Sequence, residues 1–343
     1  MNSDLIAAIA PQSAHAPAEP GGRYFPGGLG GFIVRRVALG LLTLAGVSVL
    51  VFFATMALPG DPATAILGLT TPERIHALRL ELGLDKPLLT QYLDYVRGIV
   101  SGNLGRSLAY QEPVSSYLSG RLVMSAVLVA LSAGITLPLS IALGVATAAR
   151  RDGVVDRTVL FSSLVAGALP EFVTGVLLVI VFVTTVFHVL PAISLIPAGA
   201  GVLAEPKMFV LPVITLVLAA VPYLYRQVRA VMIDTLESDY VEMAMLKGAP
   251  RRTLLYRHAL RNSLTPVLQA SSLCLAFLVG GTVPVEFLFN YPGLGSALTS
   301  AVANRDLSVI QAICGLYAAC YIMFNLIADV LTVFLTPRLR TRL

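Results

Sequence analysis

Residues 37–58 read VALGLLTLAGVSVLVFFATMAL, an apolar run that follows the pair Arg35-Arg36. As a helix rising about 1.5 Å per residue, this run would cover roughly 33 Å, which matches the ~30 Å hydrocarbon core of a bilayer. A cleavable signal peptide is the alternative, because basic residues precede the run. The run is too long for the apolar part of such a peptide and no good small-x-small cleavage site follows it, so it predicts a membrane-spanning helix.

The composition extends this prediction to the whole chain. The 343 residues are 56% hydrophobic and only 13% charged, which excludes an ordinary soluble domain. Further apolar runs are long enough to cross a bilayer, so we predict an all-α integral membrane protein with six transmembrane helices. The later runs cover residues 123–148, 159–186, 209–225, 264–289 and 308–334.

Two polar regions lie near the start of the chain. Residues 1–30 are rich in Ala, Pro and Gly without apolar periodicity, which predicts a disordered tail before a transmembrane domain of residues 31–343. Residues 61–121 separate the first two spans. Apolar residues recur there at helical spacing over 71–82 and 87–100, so we expect a small folded unit, the helical cap.

A second polar insert, residues 226–263, lies between the fourth and fifth runs. From Asp239 to Pro266 the sequence reads DYVEMAMLKGAPRRTLLYRHALRNSLTP. It predicts one helix over 238–247, a break at Gly248-Ala249-Pro250 and a second helix over 250–262. Acidic residues lead this stretch, and basic residues follow Lys247. A folded, charged insert between membrane helices favours a docking site for a soluble protein, and we call residues 226–263 the docking loop.

The distribution of basic residues predicts the orientation of the bundle. With six spans, both termini lie on the same side as the docking loop and the short loop at 149–157. Sixteen of the 24 Lys and Arg residues fall on that side. Short cytoplasmic loops carry an excess of Lys and Arg, so the termini and the docking loop are predicted to be cytoplasmic and the helical cap extracytoplasmic.

The sequence lacks the common motifs of enzymes. No G-x-x-x-x-G-K-[ST] loop, G-x-S-x-G elbow or H-E-x-x-H helix occurs, so the chain is predicted to be no enzyme and to bind no ATP or other cofactor itself. The four histidines and three cysteines are scattered, and their spacing predicts no metal site. Membrane topology explains the net charge of +5 better than binding of nucleic acid does.

Three carboxylates lie within apolar runs, where a charge is costly and often functional. Glu171 follows Pro170 near the middle of the third run. It is predicted either to line a translocation path, meeting a cationic end of the substrate, or to hold two helices together. Glu286 lies near the outer end of the fifth run and Asp329 toward the inner end of the sixth. Both are path candidates, with a gate or helix-end structural bonds as the alternative.

The docking loop carries a pattern that resembles a known one. The stretch Tyr240-Val-Glu-Met-Ala-x-x-Lys-Gly248, followed by Arg257-His-Ala-Leu-Arg-Asn262 and Pro266, is similar to the EAA loop of ABC-importer permeases. From residue 31 onward the chain resembles, more narrowly, the B-type permease subunit of the dipeptide, oligopeptide and nickel family. The supporting pieces, in the family's order, are Arg35-Arg36, Leu58-Pro-Gly-Asp-Pro-Ala63, Leu82-Gly-Leu-Asp-Lys-Pro87, Gly102-Asn-Leu-Gly-Arg-Ser107, Glu286-x-x-Phe289, Pro292-Gly-Leu-Gly295 and Asn325-Leu-Ile-Ala-Asp329.

This resemblance implies an ATP-driven importer in the cytoplasmic membrane. Its other components would be a second related permease, two ATPase subunits and an extracytoplasmic solute-binding protein, with membrane lipid around them. Peptides would be the substrate, and nickel, glutathione or another small solute are the alternatives. A secondary transporter is an alternative of another class, although it would call for an internal repeat that is not clear in this sequence.

The resemblance also implies ATPase coupling by six residues of the docking loop. Glu242, Ala244 and Gly248 match the core of the EAA pattern, which sits in a cleft of the ATPase, and Met243 stands where a second Ala is usual. The complete predicted set is Tyr240, Glu242, Ala244, Lys247, Gly248 and His258.

Three positions around the break in the docking loop also suit their residues on physical grounds alone. Gly248 can adopt the positive φ that ends a helix, and Lys247 suits the negative end of the helix dipole. Pro250 is expected at the first position of the following helix.

Overall fold

The computed structural model of the chain describes residues 28–57, 71–81, 85–194 and 205–335. Within these ranges the regular structure is helical, with one isolated bridge between Arg106 and Pro113. The helices are α1 (Gly28–Met56), α2 (Pro72–Glu81), α3 (Leu88–Val100), α4 (Val114–Ala148), α5 (Val154–Ala168), α6 (Glu171–Val179), α7 (Lys207–Leu236), α8 (Asp239–Leu246), α9 (Arg251–Thr253), α10 (Leu264–Leu288), α11 (Leu294–Ala303) and α12 (Leu307–Leu335), with π-helical turns over Ile180–Thr185 and Leu254–Leu260.

In the described ranges, α1, α4, α7, α10 and α12 are each long and apolar enough to cross a membrane. The remaining predicted span, the third (residues 159–186), is bent, because α5 and α6 meet at 100°. The bend falls at Leu169 and Pro170, where proline has no N–H to continue the helix and restricts the preceding residue to extended geometry. The prediction of six spans is therefore met only if this bent pair is one span.

Helices α4, α7 and α10 form the centre of the bundle. Leu128, Leu216, Leu224 and Leu278 are fully buried there. Small residues allow the helices to approach closely, as is usual in membranes. A Cβ placed on Gly144 of α4 would lie 2.6 Å from Val228 of α7. A Cβ on Gly134 of the same helix would instead meet no atom of the chain within 4 Å.

Helix α12 packs between α10 and α1. The Ser272 hydroxyl on α10 donates a 2.7 Å hydrogen bond to the Phe324 carbonyl of α12. On the other side, a Cβ on Gly40 of α1 would lie 2.8 Å from Ile322. The rest of α1 is largely exposed within the chain, and its large apolar side chains face outward.

Several predicted boundaries are corrected by tertiary packing. Helix α4 begins at Val114 rather than 123, because its first turns pack against α11 and α12 and bury Tyr117 and Leu118. Helix α7 continues to Leu236, eleven residues beyond the predicted end of the fourth span, so it forms the first part of the docking loop. The segment between the fifth and sixth predicted runs contains α11, a short apolar helix.

The helical cap contains the two predicted helices, α2 and α3, within a residue of their predicted bounds. Its turn at 102–107 is anchored to the start of α12, since the Ser107 hydroxyl donates a 2.5 Å hydrogen bond to the buried Asp306 carboxylate. Gly105 has φ +81° where this turn passes Ser308. Parts of the predicted cap, 61–70 and 82–84, lie outside the described residues.

The cap and the docking loop lie at opposite ends of the bundle. Helix α7 ends and α10 begins at the docking loop, whereas α10 ends and α12 begins at the cap. Helix α1 begins at Gly28, three residues inside the tail predicted over 1–30, and the rest of that tail lies outside the described residues, as does the basic segment after 335.

Candidate functional site

The predicted break in the docking loop is a helix-terminating turn built on Gly248. Gly248 has φ +79°, its N–H donates to the Met245 carbonyl at 2.9 Å, and the Ala249 N–H donates to the Ala244 carbonyl at 3.2 Å. This pair of hydrogen bonds is the Schellman motif, in which glycine is preferred because it adopts a positive φ without steric cost. The conformational role predicted for Gly248 is confirmed.

Helix α8 presents an apolar face away from the bundle. Its inner side is fixed by Val241, which is fully buried. On the outer side Leu246 is 76% exposed, and Tyr240, Met243 and Met245 are exposed as well. Large exposed apolar side chains beside charged ones are typical of a protein-binding surface. Met243, which departs from the EAA pattern, adds to this surface.

The six predicted coupling residues cluster around α8. The Tyr240 hydroxyl donates a 3.4 Å hydrogen bond to the carbonyl oxygen of His258 and so connects α8 to the following π-helical turn. Glu242, Lys247 and Gly248 are exposed. The two half-buried members are Ala244 and His258.

The segment after the break departs from the prediction in two ways. Pro250 is the residue before the helix rather than its first residue, since it has extended geometry and Arg251 opens α9. The predicted helix over 250–262 is helical but mainly in π geometry, over Leu254–Leu260. Turns of this kind are frequent at functional sites.

A buried ion pair connects the base of the docking loop to the bundle. Arg229 on α7 donates two 2.6 Å hydrogen bonds to the Asp156 carboxylate on α5. The Asp156 side chain is only 2% exposed, and its carboxylate also accepts a hydrogen bond from the Asp152 N–H at 3.0 Å. Fork-shaped pairing of arginine with a carboxylate fixes both distance and orientation.

Two surface contacts reinforce this connection. Arg151, in the turn between α4 and α5, pairs with Glu237 at the end of α7. Arg251, the first residue of α9, donates a hydrogen bond to the Ala149 carbonyl at the end of α4. The docking loop is therefore joined to α4 and α5 from both sides of α8.

Glu286 is a structural centre at the cap end of the bundle. Its fully buried carboxylate accepts hydrogen bonds from the Ser125 hydroxyl at 2.5 Å and from the Gly295 N–H at 2.6 Å. The Ser296 N–H points to the same oxygen at 3.3 Å. A carboxylate at the first turn of α11 satisfies N–H groups that have no partner within the helix. This geometry favours helix-end structural bonds over a surface on the path.

Asp329 and Glu171 have different surroundings. Asp329 on α12 forms a 3.2 Å ion pair with Arg36 on α1, which brings two pieces of the family pattern together. Glu171 is the first residue of α6, at the 100° bend, and is half-buried. Its carboxylate lies 3.8 Å from the position that a Cβ on Gly281 of α10 would take.

Comparison with known proteins now gives the family. Residues 140–341 match the family described as "Binding-protein-dependent transport system inner membrane component", and residues 29–137 match the N-terminal family of the same membrane components. The chain belongs to this family of ABC permeases. Its members are transport components rather than catalytic subunits, so the prediction that the chain is not an enzyme is confirmed.

Individual relatives resemble the permease over almost its whole length. A protein of Sinorhizobium fredii named "Probable peptide ABC transporter permease protein" is 32% identical over 91% of this chain and 100% of its own length. A protein of Escherichia coli O6:H1 named "Glutathione transport system permease protein" is 35% identical over 90% of this chain and 98% of its own. The permease is thus a multi-pass membrane protein whose family implies ATPase and substrate-binding partners.

Sequence reasoning missed several residues that organise the permease. Three of them are polar residues that nothing in the local sequence distinguishes, namely Asp156, Arg229 and Asp306. Their structural importance comes from hydrogen-bond partners that are distant in the sequence. Ser125, which bridges Glu286 and the N–H of Leu294, lies within an apolar run. Asp156 falls in the short loop predicted at 149–157, where a carboxylate is unremarkable, so no feature of the sequence marked it.

Proposed function

We propose that this permease forms half of the translocation path of an ATP-driven importer of peptides. The observation that supports peptides as the substrate is the name of a relative. A protein named for peptide transport aligns over its entire length with 91% of this chain. A second related permease, two ATPase subunits and one extracytoplasmic binding protein complete the proposed assembly.

In this proposal the docking loop is cytoplasmic and binds an ATPase subunit. The exposed apolar face of α8, with Leu246 at its end, supports such an interface. The excess of basic residues in the short loops at the same end supports the orientation. The termini would then be cytoplasmic, and the helical cap would face the binding protein outside.

The ion pairs around the loop support a rigid connection to the membrane helices. ATP, bound by the partner ATPases and not by this chain, would supply the energy. Movement of α8 would reach α4 and α5 through Arg251, Arg151 and the pair of Arg229 with Asp156. Rigid-body rotation of packed helices is a common form of such a switch.

Glu171 is our candidate for contact with substrate on the path. It lies at the bend between α5 and α6, and in the described part of the chain its carboxylate forms no ion pair. An unpaired carboxylate at membrane depth is energetically costly, and residues of this kind are therefore usually functional. The free amino group of a peptide would provide the missing positive charge, whereas the alternative is a hydrogen-bonded acid that holds helices together.

Glutathione is the second candidate substrate, because relatives named for glutathione transport align with the permease over 90% of its length. Glutathione is itself a small peptide, so both candidates use the same architecture. Nickel has no corresponding support among these relatives, and the described residues contain no group of three or more His, Cys, Asp or Glu side chains that could hold a metal ion.

Uptake by the reconstituted complex tests the proposal. The permease is purified with its second permease and ATPases, inserted into proteoliposomes, and supplied with binding protein and a labelled dipeptide. Uptake that requires both ATP and the binding protein is expected. Uptake without ATP, driven by an ion gradient, would contradict an ABC importer, and uptake of labelled glutathione with none of the dipeptide would favour the second candidate.

A further inference from the structure

A cavity of about 510 Å³ lies between α1, α3 and α12, at the cap end of the bundle. Its walls are mostly apolar and include Leu44, Val51 and Phe52 of α1, Ile99 of α3, and Leu316 of α12. Cavities of this size are typical of sites for small organic ligands. It is distant from the docking loop, and none of the coupling or path candidates lines it.

The cavity has the length of one leaflet of the membrane. Along α1 its lining extends from Leu44 to Met56, which corresponds to about 18 Å at the rise of an α-helix. Half of the ~30 Å hydrocarbon core is about 15 Å. Two of the three helices that line the cavity, α1 and α12, are membrane-spanning candidates, so the walls that they form lie where lipid chains are expected.

Charged groups complete the lining at one side of α3. Lys86 and Asp94 form a 2.9 Å ion pair, and their side chains are 55% and 44% exposed. The Lys86 ammonium group lowers the pKa of the Asp94 carboxyl below its usual value, through its hydrogen bond and its charge. A positive and a negative group therefore stand side by side where the apolar cavity meets solvent.

We propose that this cavity binds an acyl chain of a zwitterionic phospholipid of the phosphatidylethanolamine type. The chain would lie along α1 and α12, the lipid phosphate would pair with Lys86, and the lipid ammonium group would pair with Asp94. Apolar walls of leaflet length match the chain, and the adjacent opposite charges match this headgroup. A bound lipid would fill the space between the cap helix α3 and the membrane helices.

A glycine in the wall provides a selective way to fill the cavity. Gly315 of α12 lines it, and a Cβ placed there would meet no atom within 4 Å. Gly315→Leu is therefore expected to occupy cavity space without displacing protein atoms. Gly46→Leu on α1 is the matched control, because Gly46 also has no atom within 4 Å of its Cβ position but does not line the cavity.

The test is photo-crosslinking in nanodiscs that contain the full permease complex. The probe is phosphatidylethanolamine with a photoreactive group in its acyl chain, and labelled peptides are mapped by mass spectrometry. We expect labelling of α3 and of the first turns of α12, and a fall of about tenfold or more in Gly315→Leu, because several methylenes lose their apolar site. Gly46→Leu should keep the labelling.

A second experiment tests the proposed lipid headgroup. The double variant Lys86→Gln, Asp94→Asn should lose the preference of the cavity for phosphatidylethanolamine over phosphatidylglycerol carrying the same photoreactive chain. Labelling spread evenly over all lipid-facing helices, or labelling of the cavity unchanged in Gly315→Leu, would overturn the proposal of a lipid site. Equal labelling by both lipids in the unmodified protein would overturn the proposed headgroup.

Discussion

Arg229 and Asp156 hold α7 and α5 together through two hydrogen bonds of 2.6 Å, although the residues are 73 positions apart in the sequence. Asp156 is almost fully buried and Arg229 is mostly so. The pair lies at the base of the docking loop, where α7 leaves the bundle. The pair therefore connects the docking loop to the bent helix pair that carries Glu171, and in the proposed mechanism it transmits movement of the loop.

Removing one partner of this pair should destabilise the permease strongly. Arg229→Gln or Asp156→Asn leaves the other group buried without its counter-charge, which typically costs roughly 3–5 kcal/mol. The matched control is Arg97→Gln, since Arg97 is 80% exposed and lies 3.9 Å from Asp94, a surface pair worth roughly 0–1 kcal/mol. The midpoint of thermal unfolding of the detergent-solubilised complex measures the stability of each variant. Equal midpoints for the buried-pair variants and for Arg97→Gln would contradict the proposed contribution of the buried pair to stability.

Gly248 is expected to tolerate asparagine better than valine. Its φ of +79° costs a side-chain-bearing residue about 1–2 kcal/mol, and asparagine bears this conformation more readily than a β-branched residue. A Cβ there would meet no atom of the chain within 4 Å, so the cost arises from the backbone. Gly248→Val should lower peptide uptake relative to ATP hydrolysis, whereas Gly248→Asn should be intermediate.

Both rates are measured on the same reconstituted complex. If Gly248→Val showed uptake and ATP hydrolysis that remained normal and coupled, the docking role of this turn would be wrong.

Gly295 should not accept even a methyl group. A Cβ there would lie 2.5 Å from the Val283 Cα and 3.0 Å from the Glu286 carboxylate, so Gly295→Ala would overpack the junction of α10 and α11 at a cost of about 1–3 kcal/mol. Gly280→Ala on α10 is the control, because its Cβ position is open and alanine favours a helix. Unfolding midpoints should fall for the first variant and stay level or rise for the second.

The spans could be predicted because apolar runs in a membrane protein are continuous, but their ends depend on contacts that are distant in sequence. Residues 114–122 contain Ser115, Ser116 and Arg121, which look like loop, yet they continue α4 because Tyr117 and Leu118 pack against α11 and α12. Helix α11 has only ten residues, too few to stand out from a loop rich in Gly and Ala.

The docking loop could be predicted from its local pattern, whereas the long-range polar pairs could not. Glycine often ends a helix when the sequence before it is helical, so the turn at Gly248 can be inferred from neighbouring residues. Glu286 was identified as an unusual carboxylate, but its partners Ser125 and Gly295 come from two other helices, α4 and α11. Apolar periodicity predicts that a segment is helical, but it does not predict which distant residues that helix contacts.

Site-directed crosslinking of the docking loop to its ATPase is the most direct test of the central proposal. In a background with Cys274, Cys314 and Cys320 replaced by alanine, Leu246→Cys places a thiol on the exposed face of α8, and Leu89→Cys places one at 69% exposure on α3, at the opposite end. We expect that only Leu246→Cys crosslinks to the ATPase subunit in the assembled complex. Crosslinking from Leu89→Cys instead, or none from Leu246→Cys although the ATPase co-purifies, would contradict it.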